Sequence, residues 1–287
     1  MNLQLKQFNS QEVAQLLNVN VSTIKRWTEE GKLECLKTPG GHRKFLMSQI
    51  NKFLEYNNIK TAWSGALHPE DDPDLNSQIL KRNFGYLQSF LFEEAIGGKH
   101  IPVRQVLQGL YLNQTAPARI FDELITPVLH RIGDSWEKKE ITVLTEHIAS
   151  QIIRDEILML KTIIDFPVAR TETALLMLLS TEMHDIALKL TEVLLEIRGF
   201  HVLLSGQMTP TLNIEKMIDK YKPDRIYISG TVVDDLNLLQ AEFDKIGCIS
   251  EKKAIRVYIG GKAFDAIEFA QFKHVKRLAN FGEIAEQ

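Results

Sequence analysis

The sequence predicts a multidomain chain of α and α/β class: a small N-terminal helix-turn-helix module, a central four-helix bundle and a C-terminal doubly wound parallel sheet. Three observations carry this. Two capped amphipathic stretches a few residues apart open the chain. A long region of helical period fills the middle. After Pro167, strand-length apolar runs alternate with helical ones, the pattern of a Rossmann-like sheet. The expected divisions are residues 1–58, a linker over 59–77, helices over 78–166, and the sheet domain over 167–287.

The 287 residues are 44% hydrophobic and 25% charged, ordinary for a globular protein with ample core material. No apolar run reaches membrane-spanning length, and the start, Met1 to Lys6, does not read as a signal peptide, so a cytoplasmic location and no membrane partner are expected. Cys35 and Cys248 have no metal-type spacing and suit a reducing compartment. Residues 1–60 hold nine Lys/Arg against five Asp/Glu, leaving −7 of the overall −3 charge for the rest. A basic module on an acidic body points to nucleic acid for the first part only. No internal repeat or low-complexity segment is present.

In the first module, Asn9 is placed to cap a helix and Glu12 to reach back to it from three residues on. Val13, Leu16 and Leu17 form that helix's inner face. Asn20 is expected to cap a second helix, Val21 to Trp27, ending near Gly31. Leu33–Lys37 and Arg43–Leu46 can pair as a hairpin around residues 38–41. Ser48 is expected to cap a third helix through Ile50, Phe53 and Leu54.

The run Val21-Ser22-Thr23-Ile24-Lys25-Arg26-Trp27, then Gly31-Lys32-Leu33, then Thr38-Pro39-Gly40-Gly41-His42-Arg43-Lys44-Phe45 strongly resembles the winged helix-turn-helix of the MerR family of regulators. The resemblance implies binding to a double-stranded DNA operator. Ser22 and Thr23 are small enough to approach base edges, with Lys25 and Arg26 reaching bases or phosphates. In the wing, His42, Arg43 and Lys44 supply charge toward the DNA backbone. Trp27 and Phe45 are read as core.

Residues 57–77 lack a sustained period and carry two prolines and an acidic cluster, which reads as a linker. Beyond it, Leu80, Phe84, Leu87, Phe90, Leu91 and Ala95 make a helical stripe. Further helices are expected around 103–112, 118–132 and 142–164. Within them, Trp136 is followed after nine residues by Glu146-His147. This spacing resembles the helical domain that caps cobalamin in light-responsive MerR-type regulators. It implies that Trp136 shields the cofactor's upper face and that Glu146 and His147 line the pocket of its adenosyl group. Light-sensing members carry a histidine directly after the tryptophan; here that position is Glu137.

In the last domain, strands are expected near 175–179, 202–204, 225–229 and 255–259. Glu182-Met183-His184-Asp185 falls in the turn leaving the first strand. Ala187, Leu190, Val193, Leu194 and Ile197 then share one side of a helix. The order acid-x-His, Ser229-x-Thr231, Gly260-Gly261 resembles the cobalamin-binding domain shared by these regulators, methionine synthase and cobalamin-dependent mutases. The resemblance implies His184 as cobalt ligand, Glu182 holding its second nitrogen and Asp185 lying in the same turn. By the same resemblance, Ser229 and Thr231 would offer hydroxyls to the nucleotide tail, and Gly260 and Gly261 would leave it room. The family's glycine two residues after Asp185 is Ala187 here.

Together these readings predict a transcriptional repressor and not an enzyme. It would act as a homo-oligomer, a dimer or tetramer, with operator binding and assembly controlled by cobalamin, adenosylcobalamin in form, and by light. Two alternatives stand beside it. One is the same regulator with the cofactor lost and a protein antagonist as input. The other is a cobalamin-dependent mutase or methyltransferase, against which the complete DNA-binding head argues.

Overall fold

The computed structural model describes residues 8–17, 19–38, 40–57, 73–179 and 182–286. Asn18 and Pro39 of the expected DNA head, and 59–72 of the expected linker, lie outside the described residues. The chain forms two compact units, Met1–Ala116 with Pro127–Glu156, and Pro117–Thr126 with Ile157–Gln287. This division differs from the expected boundary at 166/167: it passes through a helix, and it places a short helical segment with the sheet.

The first unit opens with β1 (Phe8–Asn9), α1 (Ser10–Leu16) and α2 (Val21–Glu29), then β2 (Leu36–Lys37), β3 (Arg43–Phe45) and α3 (Met47–Tyr56). The capping box forms as expected: Glu12 Oε2 accepts the Asn9 N–H at 2.7 Å, and Asn9 Oδ1 accepts the Glu12 N–H at 2.9 Å. Two other capping expectations are corrected. Asn20 has the extended backbone of an N-cap, but its side chain makes no capping hydrogen bond; its carbonyl accepts from Thr23 N–H instead. The third helix begins at Met47, one residue before Ser48, and Gln49 Oε1 takes the Leu46 N–H at 2.9 Å.

The hairpin pairs antiparallel with Lys37 opposite Arg43, and β1 adds a third strand through Phe8 opposite Phe45. Phe8, Val13, Ile24, Leu33, Phe45, Ile50 and Phe53 form the buried core of this module. Leu17 packs against it, while the side chain of Leu16 lies outside the described ones. Trp27 is half-buried and packs against the core, its ring tilted over Phe53 with centroids 4.9 Å apart.

The helices follow as α4 (Pro73–Leu80), α5 (Phe84–Ile96) and α6 (His100–Leu112). Next, α7 (Pro117–Ile120) runs through a π turn at Phe121–Ile125 into α8 (Thr126–Glu137), and α9 (Val143–Lys161) closes the set. Helix α4 starts inside the stretch read as linker. Pro73 sits at its first position, where a missing N–H costs nothing, and Asn76 and Ser77 are buried. Within this unit the buried Glu156 accepts from Arg104 Nε at 2.7 Å and pairs with His100 Nδ1 at 3.0 Å, tying α9 to α6.

The second unit is a five-stranded parallel sheet. Its strands are β4 (Glu172–Leu178), β5 (Phe200–Leu204), β6 (Arg225–Ser229), β7 (Arg256–Gly260) and β8 (Val275–Arg277), in the order β5-β4-β6-β7-β8. Between them run α10 (Ile186–Ile197), α11 (Ile214–Tyr221) and α12 (Leu236–Lys252), and α13 (Gly282–Ala285) ends the chain. The first four strands lie where the apolar runs predict them. The fifth is an edge strand, Val-Lys-Arg, too short and charged to announce itself in sequence. Because β5 pairs on one side of β4 and β6 on the other, the sheet has its switch point between the carboxyl ends of β4 and β6. No helix among the described residues is long and apolar enough to cross a membrane.

Candidate functional site

The switch point holds a compact polar constellation. Strand β4 is buried on both faces, so its exit is fixed, and Glu182 follows four residues after its end with its side chain 3% exposed. One oxygen, Oε1, accepts from the backbone N–H of Met183 at 2.9 Å and of His184 at 2.8 Å, and meets His184 Nδ1 at 2.6 Å. The other, Oε2, accepts from Val232 N–H at 3.1 Å and from Thr231 N–H, both in the loop after β6. Burial pushes the Glu182 carboxyl upward, but the His184 ring and the backbone donors of Thr231, His184 and Val232 outweigh it and hold the group at about 2. The acid is therefore ionised throughout the physiological range.

That charge orients His184. Its Nδ1 faces the carboxylate, so Nε2 is the nitrogen disposed to ligate a metal, and the side chain is 55% exposed. Asp185 is buried at the entry to α10. Exposed apolar side chains lie on the loops after β4, β5 and β6 and at the start of α12: Met183, Met208, Val232 and Leu236. Such a rim suits a flat macrocycle with the imidazole beneath it.

Beside this lies a slot of about 100 Å³ between α10, the sheet and the C-terminal segment. Helix α10 lines it with Ala187 and Thr191, β6 with Tyr227 and Ser229, and β7 with Gly260, followed by Gly261; Asn280, Phe281 and Ile284 close it. Ser229, Gly260 and Gly261 are thus brought together as the sequence leads one to expect. Gly261 is required by geometry: its φ is +99°, and a Cβ there would stand 2.1 Å from the Gly230 carbonyl oxygen. Thr231 lies in the loop after β6 and meets Glu182. Its side chain is exposed, and it is its backbone N–H that serves the site, through Glu182. Tyr227 and the C-terminal wall were not legible, since neither belongs to a motif. Burial pushes the Tyr227 phenol up to about 12, against the lowering effect of its hydrogen bond with Arg225.

In the first unit, Trp136 sits near the end of α8 and is 46% exposed. A turn with Lys139 at φ +62° leads into α9, where Thr142 Oγ1 accepts the Thr145 N–H. Glu146 closes the first turn of α9 and His147 follows it, the two paired through Glu146 Oε2 and His147 Nδ1. Glu146 Oε1 also accepts from Ser150 Oγ at 2.8 Å.

In the helix-turn-helix, Ser22, Lys25, Arg26 and His42 are exposed, and Thr23 and Lys44 are half-buried. Arg43 is half-buried too, and its Nη2 pairs with Glu29 of α2 at 2.8 Å, bracing the wing against the helix.

A helix-turn-helix domain model matches residues 8–57, and a B12 binding domain model matches residues 91–161. The chain is 25% identical over 233 residues to the HTH-type transcriptional repressor CarH of Myxococcus xanthus, covering 75% of this chain and 76% of that one. In fold it is similar to the monomethylamine corrinoid protein of Methanosarcina barkeri, with a TM-score of 0.52 at 12% identity, over 70% of this chain and 96% of that chain. The chain thus joins a helix-turn-helix domain and a B12-binding helical domain to an α/β domain of corrinoid-protein fold, and it is a distant homologue of the CarH repressor.

Proposed function

We propose that this protein is a DNA-binding repressor whose assembly and operator affinity are set by a bound cobalamin, with adenosylcobalamin as the form taken and light as a second input. The observation that carries the reading is His184, oriented by the ionised Glu182 at the switch point of a chain that also holds a DNA-binding head. The residues fit a corrinoid: one imidazole to the cobalt, an apolar rim for the ring, and a slot lined by Ser229 and Gly260 for the tail. When bound, the cofactor would supply a cobalt that takes the His184 imidazole and a cobalt–carbon bond that light can break.

The chain's own residues do the rest. Glu182 holds the His184 ring in one orientation and keeps its proton on Nδ1. The resemblance assigns Trp136 to shielding the cofactor and Glu146 and His147 to the pocket of its adenosyl group. Ser22, Thr23, Lys25 and Arg26 read the operator while His42, Arg43 and Lys44 hold its backbone. A two-fold operator requires a symmetric assembly, which makes the protein a homo-oligomer.

The test is a visible absorption titration with adenosylcobalamin, run beside sedimentation and an operator-binding assay in darkness and under illumination. Saturable binding that changes oligomeric state and DNA affinity supports the reading. Binding that changes neither removes the regulatory part. Glu137 makes the light arm discriminating, because it stands where light-sensing relatives carry histidine. One observation favours a second reading, in which a protein antagonist replaces the cofactor: the Ala187 methyl group lines the slot where the family pattern has glycine. No corrinoid binding by either the wild type or Ala187→Gly would move that reading to the front.

A further inference from the structure

We infer that the C-terminal segment, residues 278–286, is a plug that the nucleotide tail of a corrinoid must displace, and that Asp122 is the latch holding it. The inference rests on the cobalamin reading above and adds to it which corrinoids the slot admits.

Size is the first argument. The slot measures about 100 Å³, whereas a protein cavity of roughly 150 Å³ is what benzene alone occupies. A benzimidazole nucleotide is several times larger than benzene, so the tail enters only if a wall moves.

The walls are unequal. Strands β6 and β7 belong to the buried sheet, and α10 buries Leu188, Leu190, Val193, Leu194 and Leu195 against it. The remaining wall is Asn280, Phe281 and Ile284, carried by a four-residue helix at the end of the chain. It is the wall with the least packing to lose.

The latch is specific. Asp122, in the π turn after α7, accepts the Phe281 N–H through Oδ1 at 2.8 Å and the Gly282 N–H through Oδ2 at 2.9 Å. Phe121 meets the Phe281 ring edge-on at 5.9 Å, and Arg198 Nη1 holds the Ile284 carbonyl at 2.8 Å. A π turn in a helix marks an insertion that re-aims side chains, and here it aims Asp122 at the plug. Tail entry therefore opposes the Asp122 bonds, while a corrinoid without a nucleotide leaves them in place.

The experiment compares cobalamin with cobinamide, which lacks the nucleotide tail, on the full chain and on Asp122→Asn. Asparagine keeps one acceptor and replaces the other with a donor, so it loses one of the two bonds and keeps the shape. Asp122→Asn is expected to bind cobalamin about tenfold more tightly, the worth of one charge-assisted hydrogen bond, with cobinamide affinity unchanged. In the wild type, hydrogen exchange at the Phe281 and Gly282 amides is expected to accelerate with cobalamin and not with cobinamide. Amides that stay protected with cobalamin bound, or equal cobalamin affinity in the two proteins, would overturn the plug and leave the cofactor reading standing. Failure of both corrinoids to bind either protein overturns both.

Discussion

The Glu182 carboxylate, which follows β4, receives the backbone N–H groups of Thr231 and Val232, which follow β6. One side chain thereby closes the two loops of the switch point on each other and aims the His184 ring. Glu182→Gln replaces one acceptor oxygen with an NH₂ group that must face N–H donors on either side. It is expected to lower the stability of the unliganded protein by about 1–3 kcal/mol, the cost of a buried donor left unpaired. Thermal unfolding of the two proteins checks this.

His184→Ala removes the nitrogen proposed to ligate cobalt and leaves the Glu182 bonds to Thr231 and Val232 in place. Its melting temperature should stay near that of the wild type. Its affinity for cobalamin should fall about tenfold or more, as for a lost metal-site contact. Absorption titration gives the affinity, and loss of the imidazole-ligated spectrum identifies the ligand. Equal affinity would assign the cobalt to another residue.

The two adjacent glycines should separate fold from ligand. Gly261→Ala places a Cβ against the Gly230 carbonyl at a φ of +99°, and is expected to cost more than about 3 kcal/mol. Gly260→Ala meets no atom within 4 Å and points into the slot. It should fold normally while weakening cobalamin and sparing cobinamide. Circular dichroism melts and the two titrations decide.

In the DNA head, Lys25→Ala or Arg26→Ala should weaken binding to all sequences and lower the salt slope by about one where a phosphate contact is lost. Substitution of Ser22 should change the ranking of operator variants. Arg43 needs a control, because it pairs with Glu29. Glu29→Gln breaks that brace and keeps the Arg43 charge, so comparing it with Arg43→Ala separates wing bracing from phosphate contact.

The pair Lys161–Glu192, at 2.8 Å, ties the end of α9 to α10 within the second unit. Burial pushes the Glu192 carboxyl up, but Lys161 and Lys189 outweigh it and leave it below its ordinary 4.5. Burial lowers Lys161, and Glu192 and Glu196 outweigh that to leave it above 10.5. The contribution is therefore full between about pH 5 and 10 and is lost as pH falls below 4.5 or rises past the folded lysine value. Lys161→Met should cost about 1 kcal/mol at pH 7, discounted for solvent, with a difference that shrinks in acid. Urea unfolding at pH 7 and pH 3.5 reads it.

Much of this was legible because it rests on period and spacing. The capping box of Asn9 and Glu12, the hairpin and the first four strands of the sheet all follow from local pattern. What escaped depends on distant partners. Strand β8 exists because β7 offers it an edge, and its own Val-Lys-Arg carries no strand signal. Helix α4 hides in a Pro–Asp sequence that reads equally as linker. The bond from Thr231 to Glu182 runs through a backbone N–H that any residue possesses, so no side-chain motif announces it. Asp122 and Phe281 are 159 positions apart, so no spacing rule could join them.

The orientation of His184 has a kinetic and entropic consequence. A ring already fixed by Glu182 has its rotamer chosen before any ligand arrives, and binding need not spend the roughly 0.5–1.5 kcal/mol that ordering such a side chain costs. The ligation proposed for His184 would then proceed at the rate of encounter, ahead of any slower rearrangement elsewhere in the domain. A rapid phase linear in corrinoid concentration, followed by one independent of it, is what stopped-flow absorbance would record from a ligand that is caught first and accommodated afterwards.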